Sequence, residues 1–131
     1  IKQFNLPVRN VVAGVRRSEF YNPGSIVKLK VDTQDPLGRG MFEETPAYFS
    51  TSSAFDVGQD GGLSFRVAAR YAEKDALMSG WMLGEKHING KAALVEVQYG
   101  KGKIVLFAFR PQHRGQTWGT FRFIFNALEK Y

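Results

Sequence analysis

The sequence contains no cysteine, only two histidines and no long apolar run. Without Cys there is no thiol nucleophile, disulfide framework, Cys-ligated zinc or iron–sulfur cluster. His87 and His113 alone cannot build a three-His zinc centre within one chain. The lack of Cys suits an oxidising compartment and a protein without disulfides. The longest unbroken apolar run is Ile104 to Phe109, far short of the ~18 residues of a membrane span. No signal peptide or lipidation motif is legible. Basic runs are also missing. The net charge of +6 comes from 18 Lys and Arg against 12 Asp and Glu, and its densest points are Arg16-Arg17, Lys101 with Lys103, and Arg110 with Arg114. That balance suits nucleic acid, an anionic polymer or an acidic protein surface. Without clustered charge or an RNA-binding signature, the nucleic-acid reading ranks last.

What is present describes a globular chain. The 131 residues fit one domain or domain fragment, 1–131, and are 44% hydrophobic, with eleven Phe. The chain lacks an initiator Met and opens in mid-pattern on Ile1-Lys2-Gln3-Phe4, which reads as an excised piece of something longer. The segment Leu6 to Val15 suits a strand or an irregular arm. Asn22-Pro23-Gly24-Ser25 is turn chemistry that launches a half-buried strand, with Val27, Leu29 and Val31 alternating with Lys28 and Lys30. A loop from Asp32 to Gly40 follows, then a strand or strand pair over Ala47–Val57. The run Gly58-Gln59-Asp60-Gly61-Gly62 reads as a turn, and Phe65–Tyr71 as a strand with Phe65, Val67, Ala69 and Tyr71 on one face.

The strongest local signal is a hairpin, Ala92–Tyr99 and Ile104–Phe109 around Gly100-Lys101-Gly102. The second strand has no polar residue, which predicts burial on both faces in the middle of a layered sheet. A helix from about Thr117 to Glu129 carries an apolar stripe of Trp118, Phe121, Ile124, Phe125 and Leu128, read as its core side. Phe123 falls on the far side. It is therefore a candidate docking residue, as is Trp81, and Phe123→Asp is expected to weaken docking while sparing the fold. The expected class is α/β, a mixed, largely antiparallel sheet with a C-terminal helix.

The loop between the apolar strand and the helix, Arg110-Pro111-Gln112-His113-Arg114-Gly115-Gln116-Thr117, is the candidate ligand site. Ligands in layered sheets sit beyond strand carboxyl ends, and helix N-termini favour anions. Arg110, His113, Arg114 and Gln116 could hold a carboxylate, a phosphate or a cell-wall fragment there. The ordinary alternative is that both Arg pair with carboxylates while His113 caps or packs. Ser50-Thr51-Ser52-Ser53 offers hydroxyls without an assignable base, Glu43-Glu44 reads as a solvated face, and the Asp residues lack EF-hand spacing.

A Gly-x-Gly turn, a buried strand and a Pro-containing loop resemble the last strand of class I glutamine amidotransferase-like domains. Active members of that family end this strand in His-Pro-Glu, where His is the base for a Cys nucleophile and Glu orients it. Here Arg110-Pro111-Gln112 stands instead. Arg stays protonated and Gln carries no orienting charge, so the resemblance implies no amide hydrolysis.

A closer likeness covers most of the chain. It runs through Asn22–Ser25, Asp35–Met41, Phe49–Phe55, Ser79-Gly80-Trp81 and above all Tyr99–Asn126. These segments resemble the C-terminal region of large bacterial zinc carboxypeptidases, in which an amidotransferase-like domain follows the metallopeptidase domain. The likeness implies the second half of a flavodoxin-like accessory domain, secreted or periplasmic, whose partner is the peptidase domain of the same polypeptide or a second copy. The peptidase's His-x-x-Glu motif is absent, since His87 precedes Ile88-Asn89-Gly90 and His113 precedes Arg114-Gly115-Gln116. Zinc thus belongs to the implied parent, and no catalytic, metal or cofactor residue carries over to this chain.

Overall fold

The computed structural model describes residues 1–58 and 63–129, so the expected turn at Gly58–Gly62 lies largely outside the described residues. Eight strands form one sheet: β1 (Val8–Asn10), β2 (Tyr21–Val31), β3 (Glu44–Phe49), β4 (Phe55–Val57), β5 (Phe65–Tyr71), β6 (Leu77–Leu83), β7 (Ala92–Tyr99) and β8 (Gly102–Phe107). A 3-10 turn over Trp118–Thr120 leads into one short helix, α1 (Phe121–Glu129). The main path through the sheet is β1-β4-β7-β5-β2-β3, with β6 joined to β2 and β8 to β7. Each strand pairing among the described residues is antiparallel. The largely antiparallel sheet with a C-terminal helix is therefore as expected.

Alternation builds the β2 side. Val27, Leu29 and Val31 are buried with Ala47 and Phe49 of β3, while Lys28 and Lys30 turn outward to Glu44. Burying three such aliphatic side chains contributes about 1.5–3 kcal/mol each. The Asn22–Ser25 segment is not a turn before the strand but part of it. Asn22 Oδ1 accepts from the Gly24 N–H at 2.8 Å and its Nδ2 donates to Ser25 Oγ at 2.6 Å. These local bonds absorb the irregularity where the β2–β6 register slips between Tyr21 and Gly24. In β5, register shifts on both sides of Ala69 break the expected single apolar face, so Ala68 and Ala69 are both buried.

The hairpin is where expected, but its two strands exchange roles. β7 lies between β5 on one edge and β8 with β4 on the other, and its residues from Ala92 to Val97 are all buried. Among the described residues β8 pairs with β7 alone, and Ile104 to Phe107 are only half-buried. The expectation of a central strand at Ile104–Phe109 fails because position in the sheet, not composition, sets burial. An apolar strand with one neighbour remains an edge.

Glu96 of β7 is buried and bonded to Arg66 Nη2 at 2.7 Å, and it lies 3.3 Å from Lys103 Nζ. Arg66 also reaches Asp35 at 3.2 Å. Asp35 in turn accepts from the Leu37 N–H at 2.9 Å. This chain of contacts fastens the Asp32–Gly40 loop across the sheet, where Leu37 is fully buried. A Cβ on Gly38 would meet the Asp32 carbonyl at 2.1 Å, so that loop closes only around glycine.

The helix presents the opposite side from the one expected. Phe123 is fully buried, packing edge-to-face on Phe109, and Asn126 is buried while donating to the carbonyls of Leu37 and Arg39 at 2.9 Å each. Trp118, Phe125 and Leu128 are 78%, 56% and 68% exposed. Phe123 is thus core rather than a docking residue, and Trp118 is surface rather than core. The reason is the polar Asn126: only the Phe123–Asn126 side supplies donors for the loop's carbonyls, and that side was hidden from a reading of hydrophobic spacing.

Candidate functional site

The Arg110–Thr117 loop leaves the sheet just after β8. Its start is tied down, with the Arg110 N–H donating to the Tyr48 carbonyl at 3.0 Å and Arg110 Nε to the Ser50 carbonyl at 3.0 Å. His113 is half-buried and stacks on the Tyr48 ring, with centroids 4.4 Å apart and planes 15° from parallel. The loop's end is closed by Thr120, whose Oγ1 lies 2.7 Å from the Pro111 carbonyl and 2.6 Å from that of Thr117. Arg114 holds a left-handed backbone at φ 47 and Gly115 follows at φ 68. A Cβ on Gly115 would come within 2.8 Å of Trp118 Nε1, so the glycine admits the indole across the turn.

The loop therefore does not gather its four candidates into a preformed pocket. His113 is committed to a ring stack, and Arg110 to a backbone carbonyl through one of its donors. Arg114 and Gln116 are exposed. Among the described residues neither Arg forms a salt bridge, while His113 packs as the ordinary alternative has it. What remains is an open, positively charged rim. It can attract an anion but does not enclose one.

Two apolar surfaces lie beyond that loop. One is the outer side of α1, where Trp118, Phe121, Phe125 and Leu128 recur at the spacing of a helix-packing seam. The other is the open edge of β8. Ala108 donates to the Ala93 carbonyl at 2.8 Å, which by the alternation of an antiparallel ladder turns the N–H and C=O groups of Lys103, Val105 and Phe107 away from β7. The two surfaces are joined by edge-to-face rings, Phe107 on Phe109 and Phe109 on Phe123. Trp81 on β6 is also exposed and sits edge-on to Tyr21 at 6.1 Å.

Sequence reasoning missed β6 altogether, because Met78-Ser79-Gly80-Trp81-Met82 has no clean alternation. It also missed the exposed side of α1 and a cleft between Arg17 and Ser53. The residue types in that cleft were legible, but more than thirty positions separate its two halves. The pairings of β1 with β4 and of β2 with β3 bring them together.

Among the described residues, no group of three or more His, Cys, Asp or Glu side chains is placed to hold a metal ion. No described helix is long and apolar enough to cross a membrane. Comparison with protein-family models, curated protein sequences and solved structures found no match to this chain.

Proposed function

We propose that this chain is a non-catalytic accessory domain that docks on a larger partner, in keeping with its resemblance to the C-terminal region of bacterial zinc carboxypeptidases. On that reading the partner is the peptidase domain of the same secreted or periplasmic polypeptide, and zinc is bound there. The finer assignment, the second half of a flavodoxin-like amidotransferase-like domain, rests on the likeness of Tyr99–Asn126. The observation that carries the docking role is the free edge of β8. Ile104 to Phe107 is wholly apolar yet half-exposed, and the backbone groups of Val105 and Phe107 are turned away from β7. A partner strand would satisfy those groups, and the Trp118–Leu128 side of α1 would add apolar area.

Backbone hydrogen exchange tests this directly in the intact polypeptide. If β8 is covered by the partner, the Val105 and Phe107 amides exchange as slowly as that of Leu106, which faces β7. If they exchange as fast in the intact protein as in residues 1–131 alone, the docking role is lost. The upstream reading frame gives a second test, since the parent assignment requires His-x-x-Glu and a later His in a peptidase-sized domain.

A second reading is favoured by one observation, the exposed Arg110 and Arg114 with no carboxylate partner among the described residues. It makes the loop a binding rim for small anions or cell-wall fragments, with His113 and Gln116 at its border. Calorimetric titration with inorganic phosphate separates the readings, because only the rim predicts saturable heat that Arg110→Ala and Arg114→Ala remove.

A further inference from the structure

A cleft of about 300 Å³ lies between the segment around Asn10–Asn22 and the Thr51–Ser53 turn. Its apolar wall is Phe20 and the buried Phe49, in edge-to-face contact at 6.1 Å. At its mouth Arg17 lies over the Tyr21 ring, 4.8 Å from the centroid. Arg16 next to it is spent on Glu19. Arg17 has no carboxylate partner among the described residues, and no acidic side chain lines the cleft.

The remaining hydrogen-bonding capacity is on the donor side. Asn10 Oδ1 already accepts from the N–H groups of Val12 and Ala54, and its Nδ2 donates to Ser53 Oγ at 3.1 Å. Ser53 Oγ is used there as an acceptor, which leaves its own O–H to donate. Thr51 also has an O–H to give, and it sits at φ 48, a conformation that a β-branched residue rarely adopts. Such strain concentrates where surrounding structure fixes a group for use. A guanidinium, two hydroxyl donors and an aromatic wall, with no competing carboxylate, favour an anion on an apolar body.

We infer that this cleft is a binding site for a small organic carboxylate, its carboxylate on Arg17 with Thr51 and Ser53 and its apolar body against Phe20 and Phe49. The site is separate from the Arg110–Thr117 rim and independent of the docking role.

Calorimetric titration of residues 1–131 with benzoate, benzamide and inorganic phosphate, repeated on Arg17→Ala, Arg17→Lys and Arg114→Ala, tests it. Arg17 is exposed, so its variants should melt as the wild type does. The expected result is saturable benzoate binding in the millimolar range or tighter, weakened about tenfold or more by Arg17→Ala, less by Arg17→Lys, and unchanged by Arg114→Ala. Benzamide binding as tightly as benzoate would overturn the anion anchor, and phosphate binding as tightly as benzoate and lost in Arg17→Ala would overturn the apolar wall. No saturable benzoate binding, or loss in Arg114→Ala instead of Arg17→Ala, would overturn the site; the latter result would uphold the loop rim.

Discussion

β7 and β8 are the two strands of one hairpin, and their environments run against their compositions. β7 carries Glu96 and Gln98 yet is buried from Ala92 to Val97, whereas Ile104–Phe107 of β8 is wholly apolar and half-exposed. The difference lies in neighbours. β7 has strands on both edges and the Asp32–Gly40 loop tied to it through Arg66, while among the described residues β8 has a strand on one edge only. α1 repeats the lesson on a smaller scale, burying Phe123 and Asn126 and leaving Phe125 and Leu128 outside. Burial is decided by what an element meets, and an apolar sequence states only what it could bury.

This contrast can be broken at the helix with the largest effect. Phe123→Ala should cost about 3–5 kcal/mol in urea unfolding, because it empties a closed core position. Phe125→Ala should stay within about 0.5 kcal/mol. Equal losses would mean that the two sides of α1 are not distinct. The hairpin gives a smaller contrast. Glu96→Gln should destabilise by about 1–3 kcal/mol, since a buried acceptor for Arg66 and Lys103 loses its charge. Val105→Thr on the half-exposed edge is expected to cost less than Glu96→Gln in the same unfolding assay. A larger cost for Val105→Thr would place β8, not β7, at the centre of the sheet.

Two titrations test the ion pairs and the core separately. Tyr71 is fully buried, and burial raises its phenol well above the usual value. The folded state therefore keeps a proton that the unfolded state gives up, and stability should fall as pH rises beyond about 10. Tyr71→Phe should remove that alkaline loss in melts taken across the range.

The smallest effect is expected at Asp56. Lys91 at 2.6 Å, with Arg9 at 3.1 Å, holds its carboxylate below the usual range. Its contribution is therefore present above about pH 4 and is lost as pH falls through the lowered value. Asp56→Asn should flatten the acid side of a stability–pH profile only slightly, because the pair is partly exposed and screened. An unchanged profile would show that the β1–β4 edge gains nothing from this charge.

Legibility followed the range of the interactions involved. The hairpin at Gly100–Gly102, the β2 alternation and the helix after Thr117 depend on neighbours within a few residues, and each is placed as read. The side of α1 that faces inward depends on carbonyls of Leu37 and Arg39, almost ninety residues away in sequence. For the same reason the loop candidates Arg110, His113, Arg114 and Gln116 were legible as residue types but not as a site. The Tyr48 stack and the Ser50 carbonyl that engage two of them belong to the β3 end of the sheet.

The sequence by itself determined the β2 alternation, the hairpin around Gly100–Gly102, the C-terminal helix and the lack of thiol chemistry, because these follow from local periodicity, glycine placement and residue identity. Tertiary structure alone decided which strand is central, which side of the helix is core, and that Arg17 and Ser53 line one cleft. Each of those outcomes depends on pairing and packing between distant segments, whose partners no local pattern specifies.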